Sequence, residues 1–132
     1  MAQALFAAEA KRRSIDCEVK SAGLAAFTGS PASDNSVAVL KEIGIDIMSF
    51  RSTALSAVIS DEFDLYVPMT YSQAIALVNI GIEKSKIYLF KNEVTDPYGG
   101  SIDTYRKTRD EIAENVKMLA DFVESKLGGG HK

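Results

Sequence analysis

The stretch Thr95-Asp96-Pro97-Tyr98-Gly99-Gly100-Ser101, with the amphipathic run behind it, constrains this fold more than any other part of the chain. A residue before proline is pushed out of the helical region, so Asp96-Pro97 predicts a turn. Gly99 and Gly100 open backbone conformations that other residues avoid. Ser101 then predicts an N-cap, with Asp103 in the first turn against the helix dipole. Beyond it Ile102, Tyr105, Ile112, Val116, Leu119 and Val123 recur at three- or four-residue steps, one apolar stripe of a helix. Asp103–Lys107, Arg106–Asp110 and Lys107–Glu111 are i,i+4 pairs expected on its solvated face. Asp96 and Tyr98 therefore sit on a shaped loop that feeds a helix in need of a core. The residues leave two readings open: a plain turn with a solvated Asp, or a loop that places chemistry on a rigid scaffold.

Before that loop, helices and strands alternate. Residues 1–13 read as a helix rich in Ala, Leu and Phe, ending in Lys11-Arg12-Arg13, cations suited to a helix C-terminus. This basic run reads as a solvated helix end, with a phosphate site as the alternative. A strand is expected over 18–22, with Cys17 at its start. The helix after Gly29-Ser30-Pro31 is expected to run to about Ile43, with Val37, Leu40 and Ile43 on one face and Gly44 as its stop. Ser56 is expected to cap a short helix through Glu62. Residues 64–69 form the second expected strand, mostly apolar and so buried on both faces, with Pro68 at its end. Thr70 and Gln73 make a capping-box pattern for a helix to Asn79, broken at Gly81. Lys86-Ile87-Tyr88-Leu89-Phe90 is the third strand. Such alternation implies right-handed crossovers and a parallel sheet flanked by helices, an α/β fold in three layers. One domain is expected over 1–127, with 128–132 as a flexible tail.

Charge and cysteine content narrow the function. A net charge of −3 gives no basic field, so nucleic acid is not expected as a partner. No apolar run approaches ~18 residues, so no membrane span is expected. The first residues lack a leading basic region, so they are not a secretory signal. A single cysteine leaves no internal disulfide and suits a reducing cytoplasm. The one histidine, His131, leaves no His-cluster metal site, and neither a metal nor another cofactor is expected. Cys17 reads as structural rather than nucleophilic. Gly23 stands six positions after it, and no Gly-rich loop follows at once to lower its pKa.

Asp96-Pro97-Tyr98-Gly99-Gly100-Ser101, then Tyr105-Arg106-Lys107-Thr108-Arg109-Asp110-Glu111-Ile112, resembles the C-terminal part of the low-molecular-weight protein-tyrosine phosphatases. Met1-Ala2-Gln3-Ala4-Leu5-Phe6, Ser21-Ala22-Gly23-Leu24 and the run 64–70 agree in the same order, so the likeness covers almost the whole chain. It implies the phosphotyrosine phosphatase I type of α/β fold, with four parallel strands, the first of them in the middle of the sheet. It implies Asp96 as the general acid and Tyr98 as the aromatic wall of the substrate slot. The family opens with that first strand and a C-x5-R phosphate loop, then Ser-Pro, then a helix that begins much as Met1 does. This chain has no counterpart of that strand, of the nucleophilic cysteine or of the loop arginine. The family often has a His where Phe50 stands.

The resemblance implies phosphate monoester hydrolysis through a cysteinyl-phosphate, on a phosphorylated protein or a small phosphate ester. Phosphoarginine hydrolysis and arsenate reduction are related expectations, the latter disfavoured by a lone cysteine. Because members of a catalytic unit do not act at partial strength, the polypeptide alone is expected to be truncated and close to inactive. A non-catalytic phosphatase-like binding module is the alternative. A sheet without its central strand exposes two edges, which predicts a homodimer or a strand-swapped oligomer.

Overall fold

The computed structural model describes residues 1–23, 29–58 and 63–128. Five α-helices are assigned among them: α1 (Ala2–Arg12), α2 (Asp34–Lys41), α3 (Leu55–Val58), α4 (Tyr71–Asn79) and α5 (Ile102–Val123). α5 carries the core. Its stripe Tyr105, Ile112, Val116, Leu119 and Val123 is buried, together with Thr108, Asn115 and Ala120. α1 and α2 both pack against it. Leu5 comes from α1 and Leu40 from α2, and Ile47, Phe90 and Val94 complete one cluster.

Polar contacts fix how the helices lie. Arg13, just past α1, donates to Glu9 at 2.6 Å and reaches α5 at Asp121 (2.6 Å) and beyond its end at Glu124 (2.7 Å). The three exposed pairs expected along α5 are not formed among the described residues. Instead Arg106 and Arg109 reach across to Glu42 at the end of α2, each at 2.7 Å. Arg106 also keeps Asp103 on its own helix at 2.7 Å, an i,i+3 pair, so a carboxylate at the end of α2 shares the arginine with a same-helix one.

Two helix ends lie about two residues earlier than the sequence predicts. α2 stops at Lys41, and the Ile45 amide bonds back to the Leu40 carbonyl at 2.9 Å around Gly44, whose φ is +82°. Ile43 lies in this reversal and is exposed, whereas Val39 is buried in its place. α3 begins at Leu55, so Ser56 lies inside it and is not its N-cap. Residues 59–62, where that helix was expected to continue, lie outside the described residues, as do Leu24 and 129–132. Gly128 still belongs to a π-helical turn that follows α5. α4 begins as expected. Thr70 accepts from the Gln73 amide at 3.2 Å, and the Gln73 side chain accepts from Met69 at 2.7 Å.

The parallel sheet is the main departure. Among the described residues, strand pairing is confined to isolated bridges: Tyr66 with Ile87 and Gly23 with Ala54, both parallel, and Pro31 with Arg51, antiparallel. The second and third expected strands do pair in the expected sense. Tyr66 donates to the Lys86 carbonyl at 2.8 Å, and Tyr88 donates to Tyr66 at 2.9 Å. The strand expected over 18–22 does not form; the run 16–22 makes no ladder among the described residues. A side chain touches it instead: Gln3 donates to the Val19 carbonyl at 3.2 Å. An alternating or apolar pattern supplies a face, but a strand exists only through a paired neighbour.

Candidate active site

The loop between Val94 and α5 is built from within. Asp96 accepts the Tyr98 amide on Oδ1 at 3.0 Å, an Asx turn that fixes the carboxylate against its own backbone. The Gly100 amide donates to the Pro97 carbonyl at 2.8 Å. Gly99 takes a φ of +82°, a shape that a side chain disfavours. A Cβ on Gly100 would lie 2.9 Å from the Pro97 oxygen and 3.1 Å from Cγ2 of Thr104. Ser101 caps α5, accepting the Thr104 amide at 3.2 Å. The loop therefore has one shape and a rigid exit. It presents Asp96 to solvent and leaves Tyr98 81% exposed, its ring free to meet a ligand.

Two elements bear on this loop, α2 through Asn35 and the start of α1 through charge. Burial pushes the Met1 amino group below its ordinary value of 8.0, and the charge of Asp96 opposes that shift. The start of α1 thus lies within electrostatic reach of Asp96. No side chain caps α1, and its first turn carries no acidic residue. Beside it opens a cavity of about 360 Å³, lined by Met1, Gln3, Ser33, Asp46, Phe50 and others from α1, α2 and the 46–50 turn. Neither Asp96 nor Tyr98 lines it. The uncapped amides and dipole of α1 give this corner a positive field.

Cys17 stands apart. It is exposed on the run 16–22 and does not line the cavity. Partial burial and then the charge of Asp16 push its thiol up, which works against a thiolate nucleophile. Among the described residues no group of three or more His, Cys, Asp or Glu side chains could hold a metal ion. No helix among them is long and apolar enough to cross a membrane. The basic end of α1 is accounted for by carboxylates: Arg12 and Arg13 both bind Glu9.

The sequence reading missed the contacts that tie this loop to α2. Ser33, the N-cap of α2, accepts the Ser36 amide at 3.3 Å and lies 3.5 Å from the buried phenol of Tyr105. Asn35 donates to the Gly100 carbonyl at 3.5 Å. Ser33 ahead of an apolar run was a legible cap signal. A contact spanning 65 residues leaves no local trace.

A family model described as low molecular weight phosphotyrosine protein phosphatase matches residues 1–128. A protein-arginine-phosphatase of Bacillus subtilis (strain 168) is 34% identical over 128 residues, covering 91% of this chain and 85% of that protein. A crystal structure of a low molecular weight protein tyrosine phosphatase from T. tengcongensis superposes with a TM-score of 0.82 at 35% identity, covering 91% of this chain and 87% of the other. The YwlE arginine phosphatase from Geobacillus stearothermophilus superposes at 0.85 with 32% identity, covering 99% of this chain and 88% of the other.

Proposed function

Because the chain belongs to the low-molecular-weight phosphotyrosine protein phosphatase family, we propose that it carries the acid half of a phosphatase active site, with Asp96 as the general acid and Tyr98 as the wall of the substrate slot. The observation that supports this most is the shaped loop itself. Asp96 is held by its own turn and exposed to solvent, and it lies within electrostatic reach of the uncapped start of α1. A phosphate group is favoured at such a helix start by the amides and the dipole. A carboxylic acid beside it protonates the leaving oxygen or nitrogen as the bond to phosphorus breaks, then takes a proton from the attacking water.

The phosphorylated group is a protein side chain. Two relatives named protein-arginine-phosphatase, from Bacillus subtilis and Geobacillus stearothermophilus, are each 34% identical to this chain, which supports phosphoarginine beside phosphotyrosine. Arsenate reduction gains nothing from the site, since Cys17 has no second thiol to resolve it.

The nucleophile and the phosphate-binding arginine are not among these 132 residues, because Cys17 is followed six positions on by Gly23. General acid catalysis supplies typically 10²–10⁴-fold, and the remainder of a catalytic unit does not act at partial strength. The 132-residue polypeptide by itself is therefore close to inactive, and a strand with a C-x5-R loop from outside it completes the site. The cavity beside Met1 and the unladdered run 16–22 support a place for such a segment. The same openings support pairing of two copies when nothing else fills them.

Hydrolysis of p-nitrophenyl phosphate by the purified chain tests this. The expected rate is that of buffer alone. Turnover that Asp96→Ala abolishes would show that these residues suffice, and the proposal would fail.

A further inference from the structure

Internal hydrogen bonds give the Asp96 loop its shape but not its place. Tyr98 to Asp96 and Gly100 to Pro97 both close within the loop. At its base the buried Val94 donates to the Met69 carbonyl at 2.8 Å, and its far half, at Gly100, needs a contact with another element. We propose that Asn35, in the first turn of α2, is the positioning residue of the acid loop, holding the Gly100 carbonyl through its side-chain amide. The catalytic meaning of this rests on the function proposed above, whereas the loop geometry does not.

The contact is Asn35 Nδ2 to the Gly100 oxygen at 3.5 Å. It is a long hydrogen bond and therefore a weak one. It is backed by a second contact from the same turn, Ser33 Oγ to the Tyr105 hydroxyl at 3.5 Å. The strut behind them is stiff. Val39 and Leu40 of α2 are fully buried, at 0% exposure. Glu42 at its far end is clamped by Arg106 and Arg109, and Arg109 also donates to the Val39 carbonyl at 2.9 Å. α2 is thus locked along α5 at one end, and Asn35 hooks the loop at the other.

Gly100 makes the hook specific. Its amide donates to the Pro97 carbonyl at 2.8 Å and the next residue, Ser101, caps α5, so the peptide between them is held from both sides. Ser33 and Ser36, on the same turn as Asn35, line the cavity beside Met1. Whatever fills that cavity touches the turn that holds the acid loop.

The test is backbone ¹⁵N relaxation on the 132-residue chain with Asn35→Asp and Asn35→Gln. Asn35→Asp keeps the shape, removes the donor, and adds a carboxylate that the first turn of a helix favours. The expected result is loosening confined to the loop. Order parameters at Tyr98, Gly99 and Gly100 fall from about 0.85 towards about 0.6, while the thermal midpoint holds or rises. Asn35→Gln, which keeps a donor, retains most of the order. Unchanged order parameters in Asn35→Asp would overturn the proposal. So would loosening shared by Val116 and Leu119 with a lower midpoint, since that is a general structural effect. The readout is independent of turnover, so an Asn35-held loop in a chain whose turnover, once a C-x5-R loop completes it, is unchanged by Asp96→Asn overturns only the general-acid reading.

Discussion

At the scale of the residue, the loop before α5 depends on two glycines for different reasons. Gly99 needs its positive φ of +82°, whereas Gly100 needs the absence of a side chain. At Gly100 the nearest obstacle is the Pro97 carbonyl, which is backbone and cannot rotate away. Gly100→Ala is therefore expected to cost ~1–3 kcal/mol through overcrowding, lowering the thermal midpoint by about 3–10 °C. Differential scanning calorimetry measures this, and an unchanged midpoint would show that the turn re-forms around the methyl group. The turn residues were legible in the sequence because each acts locally: Asp96 on Tyr98, Pro97 on Gly100, Ser101 on Thr104. Asn35 was not legible, since its partner lies 65 residues away and nothing in the intervening chain records the meeting.

At the scale of the element, α1 packs on α5 through Leu5 in the core, and Arg13, braced by Glu9, adds ion pairs to Asp121 and Glu124 at its edge. Glu9 is drawn from the ordinary carboxylate value of 4.5 down to about 2, first by Arg12 and then by Arg13. The sign follows from that depression. A carboxylate more acidic in the folded chain stabilises fully above about pH 4.5, and that contribution is lost as pH falls towards about 2. Thermal midpoints recorded across this window are expected to drop, and Glu9→Gln is expected to flatten the slope while lowering the midpoint at pH 7 by about 3–6 °C. A slope identical in Glu9→Gln would assign the acid sensitivity elsewhere. Helices were the legible elements, because a stripe of period 3.6 and a cap specify them from one stretch of chain. α5 kept its predicted stripe from Tyr105 onward, with Ile102 half-buried, and the starts of α4 and α5 kept their predicted caps. Strands were less legible. Residues 64–69 and 86–90 show their parallel register through Tyr66 and Ile87, yet the run 18–22 has no ladder because pairing is a property of two segments, not one. Cross-helix pairs such as Glu42 with Arg106 escape the reading for the same reason.

At the scale of the whole molecule, a helical core around α5 is well packed, while the strand side is left open. The run 16–22 has no ladder, and the segments 64–69 and 86–90 meet in the one Tyr66–Ile87 bridge. Unpaired edges invite another chain. The 132-residue polypeptide is expected to associate with itself in light scattering, with a mass that rises with concentration; a monodisperse, cooperatively folded monomer would contradict this. The central claim is that Asp96 serves as the acid of a phosphatase whose nucleophile loop lies outside these residues. The most direct measurement extends the chain at Met1 with an apolar strand, a C-x5-R loop and Ser-Pro, then compares kcat on phenyl phosphate with and without Asp96→Asn. Turnover is expected in the extended chain, with a loss of about 10²–10⁴-fold in the variant, the usual weight of general acid catalysis. Turnover that Asp96→Asn leaves unchanged would contradict it.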